Sequence, residues 1–121
     1  ESPFINGDGA QSRDFTYVAN AVQANIKALF STDEQAWNQV YNIACGEQHT
    51  VNQLFETLRE LSPNKNLTPT YRDSRLGDVR DSLADIGKVQ KLLNYQPQIL
   101  VKQGLAIALN WYKENPDYFI D

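Results

Sequence analysis

Apolar residues recur at helical spacing along much of this chain. Val18, Val22, Ile26, Leu29 and Phe30 share one helical face. Asn20 with Gln23 three residues on predicts a capping box at its start. Leu54, Phe55, Leu58 and Leu61 form a second face, opened by Thr50 with Gln53 and closed at Pro63. Ile86, Val89, Leu92 and Leu93 form a third, with Asp85 as cap and Pro97 as breaker. Val101, Leu105, Ala108, Leu109 and Tyr112 form a fourth, stopped near Pro116.

Between these lie short strand-like steps. Phe4-Ile5 precedes a strong turn signal, Asn6-Gly7-Asp8-Gly9. Phe15 and Tyr17 alternate with Asp14 and Thr16 as in a strand. Val40 to Ala44 is mostly apolar and ends at Gly46. Leu67 to Tyr71 is strand-like, with Pro69 suggesting an edge. Short strands alternating with about four helices indicate the α/β class. No repeat, linker or low-complexity segment interrupts them.

Composition narrows the class. A chain of 121 residues suits one small domain. A net charge of −4 argues against general nucleic-acid binding, which needs a basic face. No apolar run approaches the roughly 20 residues that span a membrane. The lone Cys45 excludes an internal disulfide framework and fits a reducing cytoplasm. The start, Glu-Ser-Pro-Phe, is not a signal peptide, and the chain has no methionine. The expectation is a chain processed, trimmed or cut from something longer.

Candidate chemistry gathers on arginine. Arg72, Arg75 and Arg80 cluster between Tyr71 and Asp81, interleaved with Asp73 and Asp78. A solvated loop of mutual ion pairs is one reading. The other is an anion site. A guanidinium matches phosphate oxygens in a bidentate way, a nearby aspartate can accept from ribose hydroxyls, and Gly77 permits a tight turn. Arg13 has the same two readings, a surface pair with Asp14 or an anion ligand. Gly7-Asp8-Gly9 fails as a dinucleotide fingerprint. Ser12 takes the third glycine position, and a strand-like stretch follows where a helix must begin, so a hairpin turn is expected. His49 and Cys45 lack partner series for catalysis and read as structural, and no residues have metal-ligand spacing. Trp37, Trp111, Tyr112, Tyr118 and Phe119 are expected to pack.

Asn6-Gly7-Asp8-Gly9 with Ser12-Arg13-Asp14-Phe15, Val40 to Ala44, and Tyr71 to Ile86 resemble, in order, extended short-chain dehydrogenases acting on nucleotide sugars. The closest likeness is to bacterial UDP-N-acetylglucosamine 4-epimerases of surface-polysaccharide pathways. The resemblance implies that Arg13 and Arg75 contact the UDP phosphates, that Asp78 contacts the ribose and that Asn6 lines the uracil pocket. Leu76 stands where proline is common, Asn20 where aspartate is usual and Gly87 where serine is common. The family also needs NAD, a glycine-rich fingerprint and a tyrosine with lysine four residues on. The residues at that offset are Ala21, Cys45, Arg75, Ile99 and Pro116, and Tyr118 is too near the end. Residues 1–121 are therefore expected to be the C-terminal substrate-binding portion of an NAD-dependent epimerase/dehydratase. The NAD-binding N-terminal Rossmann domain lies outside this chain, which holds neither catalytic residues nor NAD. The implied parent is a cytoplasmic homodimer. A nucleotide-sugar 4,6-dehydratase, a UDP-glucuronate decarboxylase and a non-enzymatic interaction domain remain alternatives.

Overall fold

The computed structural model describes residues 2–119. Two small sheets and four α-helices make up the α/β fold. Strand β1 (Phe4–Asn6) pairs in parallel with β4 (Thr70–Arg72), with Ile5 opposite Tyr71. Strand β2 (Ser12–Arg13) pairs antiparallel with β3 (His49–Thr50). Gly7 and Gly9, at φ of 75° and 71°, make the expected turn. It is not a hairpin, because β1 and β2 enter different sheets. Among the described residues strand β4 has only β1 beside it, and Pro69 stands one residue ahead of it, as an edge allows.

The strand expected at Asp14 to Tyr17 does not form. The Asp14 carboxylate accepts from the Cys45 and Gly46 amides, both at 2.9 Å, and the chain leaves the ladder at Arg13. No strand forms over Val40 to Ala44 either. Among the described residues no neighbouring strand pairs with it, and Val40 is exposed.

Helix α1 (Val18–Leu29) starts without a side-chain cap, so Asn20 lies within its first turn instead of capping it. Asn20 is buried there and serves the opposite end of the chain. Its Oδ1 accepts from the Gln98 and Ile99 amides at 3.0 and 3.1 Å, and its Nδ2 donates to the Ile99 carbonyl at 2.7 Å. Helix α2 (Val51–Leu61) has the expected capping box: Gln53 N donates to Thr50 Oγ1 at 3.1 Å, and Thr50 N donates to Gln53 Oε1 at 2.8 Å. Helix α3 (Gly87–Leu93) begins where Asp85 Oδ1 accepts from Gly87 N at 2.8 Å. It ends at Asn94, in the left-handed conformation with φ of 48°, before Pro97 is reached. Helix α4 (Val101–Glu114) stops ahead of Pro116 and packs on α2.

The buried core sits between α1, α3 and the 41–46 segment. Ala24, Ala36, Ala44, Ile86, Val89 and Leu93 surround Tyr95, whose hydroxyl donates to the Ala44 carbonyl at 2.9 Å. Ala24 of α1 packs in this core with Val89 and Leu93 of α3. The apolar face of α1 points elsewhere. Val22 is 51% exposed and Leu29 77%, with Val18, Ile26 and Phe30 between or near them. Trp37 is half-exposed, its indole N–H donating to the Ser31 carbonyl at 3.0 Å. Trp111 and Tyr112 meet edge to face. The packing expected of Tyr118 and Phe119 concerns side chains outside the described ones.

Candidate functional site

A cleft of about 490 Å³ opens at the carboxyl ends of the parallel strands β1 and β4. That edge is where open α/β sheets commonly take ligands, because the connecting loops splay apart there. One wall is the turn after β1, with Asn6, Gly7, Asp8 and Gln11. The other is the loop after β4, with Arg75, Asp78 and Arg80. The walls share a floor, since Gly7 N donates to the Arg72 carbonyl at 2.8 Å. Gly77, at φ of 81°, turns the loop as expected. Leu76, in the place where proline is common, is fully exposed.

The structure brings Asn6, Arg75 and Asp78 to this cleft. With the Asn6 amide oriented so that its oxygen faces the guanidinium, Oδ1 accepts from Arg75 Nε at 3.1 Å and Nη2 at 3.2 Å. Arg13 stands beside the cleft at the end of β2. Its guanidinium pairs with the Asp78 carboxylate, not with its neighbour Asp14. Arg80 takes Asp8 in a two-pronged pair at 2.7 and 3.0 Å, and this bonding holds the Asp8 carboxyl down to about 2. Arg72 lies over the Phe4 ring, 3.1 Å from its centroid. Among the described residues, Arg72 and Arg75 have no carboxylate within salt-bridge distance. Of these two, only Arg75 is free of an aromatic face, touching just a neutral amide. A bound anion would meet the least competition there.

Several contacts of this site have no local sequence signal. Ser12 Oγ donates to Asp81 Oδ1 at 2.6 Å, and Ser12 N donates to the Arg80 carbonyl at 2.8 Å, stitching the loop's end to β2. Asn52 Nδ2 donates to the Asp8 carbonyl at 3.0 Å, and Asn52 N to the Gly9 carbonyl at 2.9 Å. The partners are far apart in the chain, and each residue alone reads as ordinary surface. His49 lies in β3 with its ring facing Glu47. Cys45 is buried, and burial pushes its thiol up and away from reactivity. No three His, Cys, Asp or Glu side chains among the described residues are placed to hold a metal. No described helix is long and apolar enough to cross a membrane.

Arg75, without a carboxylate partner among the described residues, thus lies in a cleft of about 490 Å³ at parallel strand ends. The family model described as GDP-mannose 4,6 dehydratase matches residues 1–108, and the chain belongs to that family. The UDP-glucuronate 4-epimerase of Thermodesulfobacterium geofontis is 36% identical over 92% of this chain and 33% of its own length. UDP-glucose 4-epimerase from Thermotoga maritima, solved with UDP-glucose, superposes with a TM-score of 0.87 at 35% identity, covering 96% of this chain and 36% of that one. UDP-N-acetylglucosamine 4-epimerase from Methanobrevibacter ruminantium, in complex with UDP-N-acetylmuramic acid, gives 0.84 at 35% identity, covering 95% and 36%. UDP-glucuronic acid 4-epimerase from Bacillus cereus, in complex with UDP-glucuronic acid and NAD, gives 0.84 at 31% identity, covering 93% and 35%. The chain spans about a third of the length of these relatives.

The Gly7–Gly9 turn does not fit NAD. A dinucleotide cradle needs its glycine turn to run into a helix N-terminus. The Gly7–Gly9 turn runs into β2 instead, and a Cβ on Gly9 would lie 2.0 Å from Asn52 Oδ1, so the space beside that glycine is already filled by protein.

Proposed function

We propose that this chain is the UDP-gripping C-terminal segment of a larger NAD-dependent UDP-sugar 4-epimerase. UDP-N-acetylglucosamine is its substrate, and surface-polysaccharide synthesis in the cytoplasm consumes the product. The observation that carries the reading is Arg75, a cation without a carboxylate partner inside a cleft at parallel strand ends. The chain's share of its relatives supports a larger protein, and so does the exposed apolar face of α1, which suits a missing NAD-binding domain.

In this reading Arg75 and Arg13 hold the diphosphate from two segments, Asp78 accepts from the ribose, and Asn6 faces the uracil. The segment performs no bond chemistry. It supplies binding energy remote from the reacting carbon and fixes the nucleotide while the sugar stays free to turn.

The test is titration of the full-length enzyme with UDP. Arg75→Ala is expected to weaken binding by about 1.5–3 kcal/mol, as loss of a charged hydrogen bond does. Wild-type affinity in both Arg75→Ala and Arg13→Ala would sink the reading. The family model's own description favours a second outcome, a 4,6-dehydratase. Product analysis separates the two: a C4 epimer supports the epimerase, and a 4-keto-6-deoxy sugar supports the dehydratase.

A further inference from the structure

Asp8 and Arg80 meet across one end of the cleft, 72 positions apart in sequence. Their two-pronged geometry fixes orientation as well as distance. Both side chains are about 60% exposed (60% and 61%), so the pair adds little to fold stability. Its geometric effect is larger, because each partner is held independently. Asp8 Oδ1 also accepts from Ala10 N at 2.9 Å, and Asn52 grips the Asp8 and Gly9 carbonyls from the start of α2. The Arg80 carbonyl is fixed by Ser12 N. The loop between Arg72 and Arg80 is otherwise exposed. The Asp8–Arg80 contact spans the gap between turn and loop, beside the Arg13–Asp78 pair and the Asn6–Arg75 contact, which tie the same loop further along. It also neutralises Arg80 and leaves Arg75 as the cation offered to an anion.

We propose that Asp8 and Arg80 are a positioning pair that sets the width of the cleft and so the fit of the diphosphate on Arg75. This rests on the nucleotide reading above and deepens it. The competing role for Arg80 is that of a direct phosphate ligand, which Asp8 would merely mask. The two roles give Asp8→Asn opposite signs. Loss of a positioning contact loosens binding, whereas unmasking a cation tightens it.

The experiment is calorimetric titration of the full-length enzyme with UDP, for wild type, Asp8→Asn, Arg80→Gln and the double variant. Each single variant is expected to raise the UDP Kd about tenfold, in line with a small misplacement of a binding group. The double variant is expected to be no weaker than either single one. In turnover, KM for the UDP-sugar rises while kcat stays near wild type, and the melting temperature does not move with the affinity. Unchanged or tighter binding by Asp8→Asn overturns the pair, as do additive losses in the double variant or a melting temperature that falls with the affinity. A wild-type enzyme that does not bind UDP overturns the nucleotide reading itself.

Discussion

The Arg13 guanidinium is ion-paired to the Asp78 carboxylate, joining the end of β2 to a loop 65 positions further on. The two residues proposed for phosphate and ribose thus neutralise one another in this structure. UDP must share or replace that contact, and the two proposed roles can be separated. Asp78→Ala removes the ribose acceptor and releases Arg13. It is expected to weaken UDP by about 1.5 kcal/mol, the worth of a charged hydrogen bond. Inorganic diphosphate, which has no ribose, should bind no more weakly than to wild type. Equal weakening of both ligands would show that Asp78 acts only through Arg13.

Asn20 ties α1 to the segment ahead of α4 through three hydrogen bonds made in a buried site. Asn20→Ala takes the shared acceptor from the Gln98 and Ile99 amides and a donor from the Ile99 carbonyl, all part-buried. The expected cost is about 2–4 kcal/mol. Urea unfolding of the full-length protein would measure it, and a loss below about 0.5 kcal/mol, the range of an ordinary surface substitution, contradicts the buried role.

The exposed stripe on α1 carries its own consequence. The isolated 121-residue chain is expected to self-associate through it, since large contiguous apolar surface rarely stays free in water. Val22→Lys with Ile26→Lys should reduce that association in sedimentation measurements. The same pair of changes should lower the melting temperature of the full-length protein if the proposed NAD-binding domain covers the stripe there. A sharp, concentration-independent melt of a monomer by the unaltered chain would contradict this.

Local signals were legible where the physics is local. The Thr50–Gln53 box and the stripe after it mark α2, because both cap and stripe lie within one stretch of chain. The arginine loop and Gly77 were equally plain. What the sequence hid depends on partners far away. Nothing in Phe4–Asn6 announces Thr70–Arg72 as its neighbour, and nothing in Arg13 announces Asp78. Asn20 has the composition of a cap, and only the arrival of residues 98 and 99 makes it a buried clamp. The α1 stripe shows the limit of periodicity most clearly. A helical repeat says that one face is apolar, but not what covers it. Val40 to Ala44 is the same case for strands, apolar enough for a sheet yet unpaired among the described residues.

The cleft between the Asn6 turn and the Arg75 loop is proposed to hold the diphosphate of a UDP-sugar. A crystal structure of the full-length enzyme with UDP bound measures this directly. Phosphate oxygens are expected within about 3 Å of the Arg75 and Arg13 guanidinium groups, the ribose hydroxyls on Asp78 and the uracil beside Asn6. A diphosphate bound elsewhere, with Arg75 still resting only on Asn6, would contradict it.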